Sequence, residues 1–119
     1  RWVYHGLSVG TLRDATTLLH RLMTKDLLPA GLRDEMCRGI AVGDPGTGRP
    51  WQHAAYGLGV MAGTTASNLC VAGHTGGGPG SGIAVYHCPE HRQTTVAVFA
   101  TGGAAGHIEA NAFELVLQG

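Results

Sequence analysis

Glycine limits this chain more than any other residue. Twenty of its 119 residues are glycine, against an average near 7%. They gather around turns between apolar runs instead of forming a low-complexity tract. Glycines placed that way serve tight turns and close approaches of backbone to backbone. The chain therefore reads as globular and turn-rich, and its length suits at most one compact domain, or one piece of a larger one, with a modest core.

Charge and cysteine content remove several classes of function. Eight Lys and Arg cancel eight Asp and Glu, with seven histidines neutral. A nucleic-acid partner is not expected, because counterion-driven affinity needs a basic surplus. No apolar run approaches 18 residues, so no membrane span is expected. The first 20 residues contain Arg13, Asp14 and His20 without a continuous apolar core, unlike a secretory leader. Cys37, Cys70 and Cys88 cannot all pair within the chain, which excludes a disulfide scaffold.

Periodicity gives the order of elements. Residues 11–25 form the clearest helix, with Thr11 as cap and Asp14 completing a capping box. Leu12, Ala15, Leu18, Leu19 and Leu22 fall on one face of it. Pro29 ends this helix and opens a shorter one that stops at Gly39. Residues 43–50 read as an exposed loop. Four strand-like runs follow, at 53–61, 69–74, 82–88 and 94–101, with a hairpin across Pro89-Glu90-His91. Helical spacing returns from about His107 to Leu117, with Ile108, Ala112, Leu115 and Val116 on one side. The expected architecture is α+β, an antiparallel meander flanked by N-terminal helices and a C-terminal helix. Within a single partial domain the divisions are a helical segment at 1–40, a loop at 41–52, and sheet with helix at 53–119.

Three short motifs invite chemistry. The loop from Gly43 to Gly48 has the gap of a phosphate loop but continues into Arg49-Pro50, without the lysine that reaches phosphates. Cys70, His74, Cys88 and His91 lack the paired spacing of a zinc site, so no metal is expected. Gly6-Leu7-Ser8-Val9-Gly10 fits the nucleophile elbow Gly-x-Ser-x-Gly, between an extended stretch and a helix, and Asp44 and His107 follow in triad order. An elbow serine belongs on a central strand of a parallel sheet, whereas residues 51–101 read as a meander. Ser8 is kept as the alternative nucleophile.

The most informative stretch runs Tyr56-Gly57-Leu58-Gly59-Val60, then Ala72-Gly73-His74-Thr75-Gly76-Gly77-Gly78-Pro79-Gly80-Ser81, then Ile83-Ala84-Val85-Tyr86. In this order and spacing the chain resembles the C-terminal part of the serine β-lactamase and penicillin-binding-protein superfamily, closest to its class C-like branch of β-lactamases, D-alanyl-D-alanine carboxypeptidases and esterases. The helix led by Thr11-x-x-Asp14 and the Leu27-Leu28-Pro29 segment agree with the same pattern. The resemblance implies a β-lactamase-like fold, no cofactor, and a small-molecule ester, amide or peptide substrate. His74-Thr75-Gly76 stands at the family's third motif, on an edge strand beside the reactive serine. The N–H of Gly77 would be one oxyanion donor, Thr75 would bond a substrate carboxylate or the catalytic hydroxyls, and Gly76 and Gly78 would let substrate lie against the strand. His74 stands where many relatives have lysine. An imidazole is mostly neutral at pH 7, which favours uncharged esters or amides over anionic β-lactams.

Two of the family's motifs are missing. Ser-x-x-Lys is absent, since Leu22 stands three residues before Lys25, the single lysine. Tyr-x-Asn and Ser-x-Asn are absent too, since Asn68 and Asn111 follow Ala66 and Glu109 by two places. Both lie N-terminal to His-Thr-Gly in relatives. One reading makes the chain part of an enzyme whose serine lies on an N-terminal portion, leaving the apolar face of helix 11–25 and one sheet face for a complementary chain or self-association. The other makes it a self-standing binding module, or a small esterase built on Ser8.

Overall fold

The computed structural model describes residues 10–119, so the Ser8 elbow lies outside the described residues. Helix α1 (Leu12–Thr24) is followed by α2 (Ala30–Cys37), then by strands β1 (Ile40–Gly43), β2 (Trp51–Tyr56), β3 (Met61–Thr65), β4 (Cys70–Gly78), β5 (Ser81–Cys88) and β6 (Thr94–Ala100), and by α3 (Ala105–Gln118). The six strands form one antiparallel sheet in sequence order. The expected α+β meander with flanking helices is the observed architecture.

The sheet has two more strands than the sequence runs suggest. The run 53–61 divides at Gly57-Leu58-Gly59-Val60, where the N–H of Gly57 bonds the carbonyl of Val60 and Gly59 takes a φ of 77°. An apolar run broken by two glycines is thus a hairpin between β2 and β3. Within the expected loop 41–52, Ile40 to Gly43 pair with Ala54 to Tyr56 as an edge strand, and β2 begins at Trp51. Loop character is left to residues 44–50. Strand β4 runs on to Gly78, past the expected end at His74, because Thr75 to Gly78 pair fully with Ser81 to Ala84.

The cap of α1 forms as its sequence implies. Thr11 Oγ1 accepts the N–H of Asp14 and Asp14 Oδ2 accepts the N–H of Thr11. The two sheet faces carry different helices. Val71, Ala84, Tyr86 and Cys88 pack with Ile108, Ala112, Phe113 and Val116 of α3 in the core. Strand alternation sends His87 to the opposite face, where it and His20 of α1 bond the same Thr95 hydroxyl. Trp51, Tyr86 and Phe113 interlock edge to face, with ring centres 5.1–5.7 Å apart; each such pair adds about 0.5–1.5 kcal/mol beyond its buried area. No residue of α1 is buried, and Leu18 on its apolar face is 66% exposed. Among the described residues no helix is long and apolar enough to cross a membrane.

Candidate functional site

Strand β4 has a half-bare edge. On one side it pairs with β5 along its length from Ala72 to Gly78. On the other side β3 reaches only from Cys70 to Gly73. Beyond Gly73 the edge has no strand partner among the described residues, so His74 to Gly78 lie on an edge although β4 is central in the sheet.

Ladder parity decides which backbone groups face that gap. The carbonyl of Leu69 accepts from Thr65, on the β3 side. N–H and C=O of one residue point to the same side, and successive residues alternate. The β4 register is unbroken through Gly78↔Ser81. Residues 71, 73, 75 and 77 therefore share the orientation of Leu69, and the N–H of Gly77 points into the gap. A Cβ on Gly76 or Gly77 would meet only ordinary contacts, at 3.7 and 3.6 Å, and one on Gly78 would meet nothing within 4 Å. None of the three has positive φ. The fold itself does not require these glycines.

His74 is exposed at the start of the bare segment. Its Nδ1 lies 2.8 Å from the carbonyl of Thr75, and its Nε2 lies 2.8 Å from the Tyr56 hydroxyl. A carbonyl can only accept, so Nδ1 carries a proton. In the neutral ring Nε2 is then the acceptor, and Tyr56 O–H donates to it.

Thr75 turns inward. Its hydroxyl donates to Glu109 Oε2 at 2.6 Å and lies 2.6 Å from the Tyr86 hydroxyl. Glu109 is fully buried on α3. Arg49 grips it with two bonds, Nε to Oε1 at 2.5 Å and Nη2 to Oε2 at 2.6 Å. Burial alone would raise the Glu109 pKa, but bonds from Arg49, Thr75 and Trp51 and the Arg49 charge outweigh it and hold the carboxyl below its ordinary range. The Tyr86 phenol is driven far above its ordinary value, chiefly by burial. The result is a charge-compensated network, buried at Glu109 and Tyr86, that joins loop 44–50, β4, β5 and α3. Gly106 permits the helix to approach, since a Cβ there would run into the carbonyl of Gly48.

Two cavities meet at Arg49 and Met61. One, of about 340 Å³, lies along Thr75 to Gly78; the other, of about 200 Å³, lies beside Trp51 and Tyr56. Asp44 lines the second cavity and accepts the N–H of Gly46 at 2.8 Å. His107 is exposed in the first turn of α3. Among the described residues no group of three or more His, Cys, Asp or Glu is arranged to hold a metal ion.

The sequence reading missed Arg49, Tyr56, Tyr86 and Glu109 as members of this assembly. For Glu109 a signal existed. It precedes Ala112, Phe113 and Val116 by three, four and seven residues, so it shares their stripe, and a carboxylate on an apolar stripe requires a partner. The expected stripe included Leu115, which is instead exposed.

No family model matches the chain, and no curated protein matches it. Among solved structures, the chain is similar to a D-stereospecific amidohydrolase from Streptomyces sp., with a TM-score of 0.63 and 24% identity over 89% of this chain. The likeness is one of fold, and the chain spans 28% of that enzyme's length.

Proposed function

We propose that this chain is the oxyanion- and substrate-binding portion of a β-lactamase-like serine hydrolase whose nucleophile lies on residues N-terminal to it. The observation that carries this reading is the bare edge of β4. It presents three glycines that internal packing does not demand, with the Gly77 N–H directed outward. A fixed donor aimed at developing negative charge is what acyl transfer needs. In this role Gly77 binds the oxyanion, Gly76 and Gly78 leave room for substrate backbone, and His74, coupled to Tyr56, faces the reacting group. Thr75 serves the network of hydroxyls that anchors the strand. The substrate is a small ester, amide or peptide. The similarity to an amidohydrolase of much greater length agrees with this reading, as do the unburied residues of α1.

Expression together with the residues encoded ahead of Arg1 provides the test. Those residues are expected to contain Ser-x-x-Lys, and the longer protein to hydrolyse short esters or amides. Gly77→Pro deletes the donor without deleting a ladder bond, since that N–H points away from β5. It should lower kcat by about 10²–10³-fold. Unchanged turnover in Gly77→Pro, or phosphonate labelling of the 119-residue chain at Ser8, would overturn the proposal.

A further inference from the structure

The cavity beside the bare edge points to the kind of group the substrate carries. Val42, Pro45, Trp51, Ala54 and Met61 give it an apolar part, and Asp44, Arg49 and Tyr56 complete the lining. Its volume of about 200 Å³ exceeds the roughly 150 Å³ that suffices to enclose benzene in an apolar protein cavity. Tyr56, on its rim, is bonded to His74, and Arg49 and Met61 line this cavity and the one along Gly76 to Gly78 alike. A ligand whose carbonyl lies against Gly77 thus has a lobe with a broad apolar wall next to it.

We infer that this lobe is a specificity subsite for an aromatic or similarly broad apolar group attached near the reacting carbonyl. Recognition there rests on shape and burial. The small Ala54, on the same sheet face as Trp51, leaves the floor open, Trp51 supplies a flat wall held in place by Phe113 and Tyr86, and the flexible thioether of Met61 adapts to the ring edge. A methyl group in the same position would leave most of the lobe unfilled. That the carbonyl lies at Gly77 rests on the function proposed above; the lobe's preference for a ring does not.

The test uses the ¹⁵N- and methyl-labelled chain, titrated by NMR with racemic N-acetylphenylalaninamide and with its alanine counterpart. The phenylalanine probe should bind about tenfold tighter or more, the scale expected for burying a ring. Its shifts should centre on the Trp51 indole and the Val42 and Met61 methyls. Ala54→Phe and, separately, Val42→Phe should reduce its advantage below about twofold, on the same scale; Val42 is 59% exposed, so the second variant keeps the fold. Equal affinities, binding of neither probe, or an advantage that survives both substitutions would overturn the subsite. Ring-dependent shifts at Trp51 with a still Gly77 amide would support the subsite and count against the carbonyl site. Movement of Gly77 with both probes at equal affinity would do the reverse.

Discussion

Both carboxylate oxygens of Glu109 are held by Arg49, at 2.5 and 2.6 Å, and the same carboxylate accepts the hydroxyl of Thr75. Thr75 of β4 is therefore fastened to the C-terminal helix through a buried acid, and the acid to a turn-rich loop through a guanidinium.

Breaking that pair from one side should be costly. Arg49→Ala leaves Glu109 buried without its counter-charge, which is expected to destabilise the fold by about 3 kcal/mol, the lower end of the range for broken buried pairs. Arg49 itself is partly exposed, so its own desolvation was incomplete. Urea unfolding monitored by circular dichroism measures the loss. The double variant Arg49→Met with Glu109→Leu should lose less than either single change.

Acid should weaken the protein in two stages. Burial, opposed by Gln93 and reinforced by His20, holds the His87 pKa below its ordinary 6.5. The folded state then binds fewer protons than the unfolded state, and stability falls as pH drops below about 6.5. Glu109, held below its ordinary 4.5, adds a second loss as pH drops below about 4.5 and through its folded value. Midpoints of urea unfolding between pH 8 and pH 3 should display both. His87→Gln should flatten the upper stage and leave the lower one.

The glycines of β4 should separate into two kinds. A Cβ at Gly73 would run into the carbonyl of Val85 and approach Tyr86 Cα at 2.8 Å, so Gly73→Ala should cost about 1–3 kcal/mol. Gly78→Ala, with open space around it, should change stability by no more than about 0.5 kcal/mol. Thermal unfolding of the two variants side by side decides whether the edge glycines serve the fold or the gap beside them.

The protonation pattern of His74 is directly observable. Ring ¹⁵N shifts above pH 8 should give a proton on Nδ1 and a hydrogen-bonded lone pair on Nε2. Tyr56→Phe should move the Nε2 resonance toward that of a free acceptor while leaving Nδ1 bonded to the Thr75 carbonyl. A proton found on Nε2 instead would contradict the geometry.

Where signals were local, the sequence reading matched the structure. The Thr11 and Asp14 capping box, the two early helices, the turn-rich loop, the 89–91 hairpin and the closing helix each depend on residues within a few positions of one another. It went astray where a long-range partner decided the outcome. Ile40 to Gly43 has no independent reason to be a strand until Ala54 to Tyr56 lies beside it. The run at 53–61 is a local miss of another kind: period alone does not reveal the hairpin turn that Gly57 and Gly59 make within it.

What the chain determined by itself was the α+β meander, because apolar periodicity and glycine spacing act over one turn or one hairpin. Tertiary structure decided that β3 stops short of His74, leaving the Gly77 N–H without a strand partner among the described residues, and that Arg49, Thr75, Tyr86 and Glu109 meet. Arg49 and Glu109 are 60 positions apart. Only the packing of α3 across the sheet brings them together, and only burial makes their pairing obligatory.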